Sequence, residues 1–328
     1  MTQLTCTGAG RSAAAAGLPD YWTFNVITTG AGQTYTLNAV GVNALQTCVV
    51  DWGDGGATEN WTGDASRSHV YAGTGNYTVT VTNAAEIWKI DMRDSKTSWT
   101  VSNAAPMPAN ITYLYILTLA GLTWNVGSVA GANMPAGITY LYINNIAGLT
   151  WNVGSVAGAN MPAKITYLYM LNLTGLTWNV GSSAGANMPA GITFLYMINI
   201  AGLTWNVGSV AGANMPANCI NMTLSSCGTV TIDAADVFPK PLTTLRFENS
   251  LTQAQVDAVL AALYLAFPTR TGTNGTIDLA GGGNAAPTGA SPGGAECPPT
   301  TGWNTAYELV NDSCGVSAKH WASVTCQV

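Results

Sequence analysis

Ile111-Thr112-Tyr113-Leu114-Tyr115 returns as Ile138-Thr139-Tyr140-Leu141-Tyr142, as Ile165-Thr166-Tyr167-Leu168-Tyr169 and, with one change, as Ile192-Thr193-Phe194-Leu195-Tyr196. Each copy is followed by Gly-Leu-Thr-Trp-Asn-Val-Gly-Ser, starting at Gly121, Gly148, Gly175 and Gly202. Each unit closes on Ala-Asn-Met-Pro-Ala, with prolines at Pro135, Pro162, Pro189 and Pro216, and the period is 27 residues throughout. A unit of this size cannot bury its apolar side alone, so the copies must stack. With Ile111 in place 1, apolar residues fall at places 1, 4, 6, 9 and 12: Ile111, Leu114, Ile116, Leu119 and Leu122. The next unit repeats this with Ile138, Leu141, Ile143, Ile146 and Leu149. Strand alternation then turns Leu114 and Ile116 inward and Tyr113 and Tyr115 outward. The same holds for Tyr140 and Tyr142, Tyr167 and Tyr169, and Phe194 and Tyr196. Two aromatic ladders are therefore expected on one uncharged face, flanked by Thr112, Thr139, Thr166 and Thr193. Trp124, Trp151, Trp178 and Trp205 are expected past the strand, packed at the coil corner, with Asn125–Ala132 extended on the far side.

Working outward, a degenerate unit with Trp99 and Pro108 precedes the regular ones, and looser units follow around Cys219–Val237, Leu242–Phe267 and Thr276–Asn284. Val256, Val259, Leu260 and Leu263 share one face at helical spacing, so Gln253–Ala266 reads as a helix. The solenoid is thus expected over residues 87–287, with its regular units at 111–218. Residues 288–328 differ in composition and read as a C-terminal cap over the last coil's open edge. Between Lys96 and Asp233 the only charge is Lys164. Identical coils stack at about 4.8 Å, where like charges repel, so a perfect repeat is best written in neutral residues.

The composition agrees. Charged residues make up 8% of the 328, against roughly 25% in an ordinary soluble domain. Hydrophobic residues make up 48%, which supports a sizeable core and argues against disorder. Ten Lys+Arg against 16 Asp+Glu leave no basic face for nucleic acid. No apolar run reaches about 20 residues, so no membrane insertion is expected. Residues 1–22 read as an N-terminal arm: a lone Arg11 and the short run Ala13–Leu18 do not make a secretory signal. A Gly-, Thr- and Asn-rich chain with 7 cysteines looks extracellular, and a virus particle component reconciles that with a missing export signal.

Residues 23–86 read as β-structure. Thr23–Thr28 and Thr34–Leu37 alternate, and Cys48–Trp52 reads as a buried strand. The series Val50-Asp51-Trp52-Gly53-Asp54-Gly55, then His69-Val70-Tyr71, then Gly75-Asn76-Tyr77-Thr78-Val79-Thr80-Val81 resembles the signature of PKD-type immunoglobulin-like domains. The 27-residue units, in turn, resemble irregular leucine-rich repeats of bacterial surface adhesins and tailed-phage structural proteins. These resemblances imply a mainly β chain: an immunoglobulin-like β-sandwich, a leucine-rich-repeat solenoid, one or few helices near its C-terminal end, and a capping tail. They also imply a non-enzymatic virion structural or host-attachment protein of a tailed phage: a fibre, tail appendage or capsid decoration. Its partners would be other virion proteins, further copies of itself, or a host-surface glycan or protein. A cell-surface adhesin is the alternative, and a polysaccharide depolymerase a remote one.

Chemistry-bearing residues are sparse. Asp51 and Asp54 read either as a calcium or catalytic pair or, with Trp52, Gly53 and Gly55, as a hydrogen-bonded turn. Cys297, Cys314 and Cys326 lie close together in the tail, where one disulfide is expected. Cys219 and Cys227 either pair or serve as small core residues. No CxxC is present, so no zinc site or other metal centre is expected, nor a cofactor. His69 and His320 lie in no nucleophile motif. The carboxylates Asp233, Asp236 and Glu248 are the nearest thing to a glycosidase pair, and they read better as turn or surface residues. The tyrosine ladders remain open to three uses: self-stacking, a contact with a neighbouring subunit, and binding a host glycan or protein.

Overall fold

A computed structural model of the chain describes residues 20–102, 106–127, 133–155, 159–182, 186–207, 213–232, 238–291, 293–315 and 320–327. The N-terminal part holds β1 (Tyr21–Thr28), β2 (Gln33–Val42), β3 (Cys48–Asp51), β4 (Glu59–Trp61), β5 (Asp64–Tyr71) and β6 (Gly75–Thr82). Next come β7 (Ile87–Met92) and β8 (Thr97–Val101). Five two-stranded coils follow: β9 (Tyr113–Leu117) with β10 (Gly121–Val126), β11 (Tyr140–Asn144) with β12 (Leu149–Val153), β13 (Tyr167–Leu171) with β14 (Leu176–Asn179), β15 (Phe194–Ile198) with β16 (Gly202–Val207), and β17 (Asn221–Ser225) with β18 (Thr229–Ile232). The chain ends with β19 (Thr244–Glu248), α1 (Gln253–Ala266), β20 (Gly275–Leu279), α2 (Gly302–Asn311) and β21 (Trp321–Cys326).

The result is mainly β, with a β-solenoid of about five turns and two α-helices among the described residues. Two long sheets run through it. One is ordered β18-β16-β14-β12-β10-β8-β1-β6-β3-β4, the other β21-β20-β19-β17-β15-β13-β11-β9-β7-β2-β5. Coil-to-coil pairing is parallel, whereas the pairing among β1–β6 is antiparallel. The boundary expected between residues 86 and 87 therefore marks no break in hydrogen bonding. β1 pairs with β6 on one side and β8 on the other, and β2 pairs with β5 and β7. The N-terminal strands prolong the solenoid's sheets. Aromatic contacts join the two sheets there: Phe24 lies 5.9 Å from Tyr35, and the Tyr35 hydroxyl meets Thr97 Oγ1 at 2.9 Å. The arm expected over 1–22 also ends early. Tyr21 and Trp22 are already in β1, because Trp22 is fully buried against Phe24 and Trp99; residues 1–19 lie outside the described residues.

Ile111, Leu114, Ile116, Leu119 and Leu122 are all buried, as are their equivalents in the later coils. The tryptophans correct the expected layout. Gly121–Val126 and its copies are themselves strands, so Leu122, Trp124 and Val126 all point inward while Thr123 and Asn125 face out. The indole N–H groups are satisfied inside: Trp151 and Trp178 donate to the carbonyls of Ala159 and Ala186 at 2.6 Å, and Trp205 donates to Ala213. Most of the Gly/Ala stretch, residues 128–132, lies outside the described residues.

The two sheets stack their coils differently. In the tyrosine-bearing sheet equivalent residues pair directly, Tyr113 with Tyr140 and Tyr140 with Tyr167. In the tryptophan-bearing sheet Trp124 pairs with Leu149 and Trp151 with Leu176, a slide of two residues per coil. Strands lie about 4.8 Å apart on both sheets, so the slide of two residues, about 6.7 Å along the strand, shifts one sheet's copies sideways relative to the other's.

Local chemistry fixes each corner. Thr118, Asn145, Asn172, Asn199 and Ser226 all take left-handed backbone angles after their strand (φ 53–56°). Asparagine tolerates this best, and its amides form a ladder: Asn172 Nδ2 donates to Asn144 Oδ1 and Asn199 Nδ2 to Asn172 Oδ1, both at 3.0 Å. The glycine opening each second strand lets the previous coil's backbone come close; a Cβ on Gly148 would lie 1.9 Å from the Leu122 carbonyl oxygen.

At the C-terminal end, α1 covers the residues expected, with a capping box between Thr252 and Gln255 and with Val256, Val259, Leu260 and Leu263 buried. α2 packs on α1. The tail caps by addition: β21 pairs with β20 and becomes the new edge of that sheet. Arg270 clamps it, its guanidinium 3.6 Å from the Trp321 ring and donating to the His320 carbonyl at 2.9 Å.

Gly148→Ala is expected to destabilise the chain by about 1–3 kcal/mol through forced repacking. Gly137→Ala, whose Cβ would meet the Ile111 carbonyl oxygen at 3.4 Å, is expected to cost far less. Denaturant midpoints of the two variants check this ordering.

Candidate binding surface

Tyr113, Tyr140, Tyr167 and Phe194 form one outward column on the sheet of β9, β11, β13 and β15, and Tyr115, Tyr142, Tyr169 and Tyr196 the next. The register brings all eight rings together as the sequence predicts. The rings do not stand apart as separate platforms. Tyr113 and Tyr140 stack at 4.2 Å and 9°, and Tyr115 and Tyr142 at 4.1 Å and 4°. Tyr167 and Phe194 stack at 4.8 Å and 8°, and Tyr169 and Tyr196 at 4.6 Å and 10°. Between these pairs the stack loosens: Tyr140 to Tyr167 is 5.7 Å at 32°, and Tyr142 to Tyr169 is 5.8 Å at 31°. Ring faces are thus spent on each other, and edges and hydroxyls point to solvent. Only Tyr167, at 38%, is exposed; the other seven are half-buried.

Burial among neighbouring rings favours the neutral phenol at four of these tyrosines. Burial, reinforced by the Tyr142 hydroxyl, pushes Tyr115 up to about 12; burial and neighbouring tyrosines push Tyr140 and Tyr169 up to about 12 as well. Tyr113 is raised too, mainly by burial.

Sequence reading missed what closes the ladders at one end. Lys89 Nζ lies 5.2 Å from the Tyr113 ring, and the Arg93 guanidinium lies 4.2 Å from that of Tyr115. Both cations are also ion-paired, Lys89 with Asp64 at 2.8 Å and Arg93 with Asp91 through two 2.7 Å bonds. Their spacing was available in Lys89-Ile90-Asp91-Met92-Arg93, which alternates in the same register as Tyr113-Leu114-Tyr115-Ile116. A third outward column, Leu117, Asn144, Leu171 and Ile198, was also legible from the period-two pattern. The flanking threonines are structural: the hydroxyls of Thr139, Thr166 and Thr193 donate to the carbonyls of Thr112, Thr139 and Thr166 at 3.0–3.1 Å.

The other candidates sort as follows. Asp51 Oδ1 accepts from Gly53 N at 2.8 Å and Asp54 Oδ1 from Gly56 N at 3.0 Å, so both carboxylates brace the turn. Gly53 has φ +77°, and a Cβ there would meet the Thr78 carbonyl oxygen at 2.3 Å. Asp54 Oδ2 also meets His69 Nε2 at 2.8 Å, which holds its carboxyl below the ordinary value. Trp52 is buried and stacks on His69 at 4.8 Å. Cys297 and Cys314 form the tail's disulfide, while Cys326, Cys219 and Cys227 are free and buried. Cys219 and Cys227 are therefore core residues, not a second bridge. The one grouping of potential metal ligands among the described residues is Cys297, Glu308 and Cys314. Its two sulfurs are bonded to each other, and Glu308 is taken up by Ser313 and the Cys314 N–H. Glu248 is buried between Arg246 at 2.8 Å and Ser225 at 3.1 Å; Asp233 and Asp236 lie outside the described residues. Compared with protein-family models, curated proteins and solved structures, the chain matches none.

Two measurements follow from these contacts. Because the folded phenols titrate above their unfolded value of 10.0, the unfolded chain loses protons first as pH rises. Stability is therefore expected to hold up to about pH 10 and to fall between about 10 and 12, seen as a declining denaturation midpoint. In unfolded, unreduced protein, Cys48, Cys219, Cys227 and Cys326 should react with a thiol reagent, and Cys297 and Cys314 only after reduction. Peptide mapping of the labelled sites decides this.

Proposed function

We propose that the chain is a non-enzymatic structural or attachment protein of a tailed-phage particle, working through contacts made on the tyrosine face. The observation that carries this reading is the paired ladder of eight aromatic rings, held in register by parallel strands and presented on one outer face of the solenoid. Such a surface is pre-organised. Aromatics with polar tips bury large area at low entropic cost, and strand pairing fixes them before any partner arrives. Further support comes from the two sequence resemblances. The PKD-like motifs fall on β3, its following turn, β5 and β6. The 27-residue unit also lies in the length range of leucine-rich repeats.

The ring geometry bears on the kind of partner. A sugar stacks on an exposed ring face, and here neighbouring rings occupy those faces. Ring edges, hydroxyls and the aliphatic column of Leu117, Leu171 and Ile198 suit a protein surface better, whether another virion protein or a receptor. The adhesin reading is favoured by one feature, the Cys297–Cys314 disulfide, since such bonds persist in oxidising surroundings outside the cytosol.

Changing Tyr140, Tyr142, Tyr167 and Tyr169 together to Ser is expected to abolish particle assembly or adsorption to cells. The same four changed to Phe keep the stacks and should retain most of the effect of area while removing the hydroxyls. Circular dichroism of both variants checks that the coils remain. Unchanged assembly and adsorption with an intact fold would leave the rings with stiffening as their role.

A further inference from the structure

The stacked phenols also have a reactive geometry. Tyr115 and Tyr142 are 4.1 Å apart and 4° from parallel, Tyr113 and Tyr140 4.2 Å and 9°, Tyr169 and Tyr196 4.6 Å and 10°. Their strands are hydrogen-bonded in register, so the rings cannot drift apart without breaking the sheet. Each of these rings is half-buried, with an edge open to solvent. Two phenoxyl radicals couple only if their ring carbons meet before either is quenched. Fixing the partners side by side replaces a bimolecular encounter with a contact already made.

We infer that Tyr113–Tyr140, Tyr115–Tyr142 and Tyr169–Tyr196 form a modification site at which one-electron oxidation links adjacent coils through dityrosine bonds. The co-reactant is a peroxide used by a peroxidase-type oxidant. Each phenol gives up one electron and its Oη proton. The two radicals join their unpaired electrons in a single Cε–Cε bond. Each ring becomes aromatic again as the hydrogen on the bonded Cε is replaced by one on Oη. The pair thus loses two electrons and two protons, which convert one hydrogen peroxide to two waters.

The neighbouring geometry sets the limits of the site. Tyr167 stacks on Phe194, which has no phenol to couple. Tyr140–Tyr167 and Tyr142–Tyr169 are wider, at 5.7 and 5.8 Å, and tilted by 31–32°, so they are poorer partners for coupling. Tyr71 and Tyr77 also stack, at 4.3 Å, but Tyr71 is fully buried with its hydroxyl donating to the Trp52 carbonyl, away from any soluble oxidant. A link across one coil closes a loop of 27 residues in the unfolded chain, so it should stabilise the solenoid as a disulfide of that span would.

The test treats the dilute full chain with hydrogen peroxide and a peroxidase. Dityrosine fluorescence should appear in monomeric protein whose intact mass is lower by two hydrogens per link, with linked peptides containing the three named pairs and a higher melting temperature. Changing Tyr140, Tyr142 and Tyr169 to Phe leaves no two phenols adjacent in either column. Phe194 already stacks in this ladder, so the fold should tolerate the change, with an unchanged circular dichroism spectrum and loss of the fluorescence. Equal fluorescence in that variant, links mapped to Tyr71–Tyr77, links found only between chains, or equally fast coupling in guanidinium-unfolded protein would each overturn the assignment.

Discussion

The backbone amides of Thr139 and Tyr140 both donate to the carbonyl of Thr112, and those of Thr166 and Tyr167 both donate to Thr139. Each coil is thereby tied to the residue 27 positions earlier, and the tie repeats without slippage from β9 to β15. Everything else in the solenoid works within that constraint. A side chain at any outward position has its own copy about one strand spacing away on either side. Residues that are repelled by their copies are excluded, and residues that gain from them accumulate. Tyrosine stacks, asparagine amides bond head to tail, and threonine hydroxyls bond to the previous coil's carbonyl.

The same period meets a different constraint on the other sheet. There the large Trp124, Trp151, Trp178 and Trp205 rings fill the interior, and the strands stay hydrogen-bonded while sliding two residues per coil. Sliding keeps the parity of the pleat, so inward residues stay inward. It also carries each tryptophan past its own copy, so the pairing of like with like is confined to the tyrosine sheet.

Much of this was legible in the sequence. The period, the inward set Ile111, Leu114 and Ile116, the outward rings and the helix at Gln253–Ala266 all follow from spacing, because burial on one face leaves a periodic trace. The second strand of each coil was read less well. Gly-Leu-Thr-Trp-Asn-Val alternates as a strand should, yet the sequence alone places its tryptophan past the strand, at a coil corner. The glycine is there because a neighbouring carbonyl passes where a Cβ would be. That is a tertiary fact with no local signature. The continuity of the sheets across residue 86 was hidden for the same reason: β1 to β8 and β2 to β7 are pairings between segments far apart in sequence. Cysteine connectivity was open because spacing alone does not say which sulfurs meet.

Charge shows how far the register constraint extends. In the regular coils Lys164 stands alone, and the flanking coils carry Gly137 and Gly191 at its position, so no like charge lies one coil away. Where the units cease to be copies, charges return in complementary sets. Lys89 and Asp91 on β7, and Arg93 just past its end, stand before the first tyrosines. Arg246 and Glu248 pair on β19, with Asp278 directly beside Arg246 on β20. Each of these strands has an unlike neighbour, so opposite charges can be set side by side there. The near-absence of charge from the regular coils is therefore what stacking near-identical units favours. A future unit added by duplication would carry charge only where its neighbour's copy is neutral, as Lys164 does.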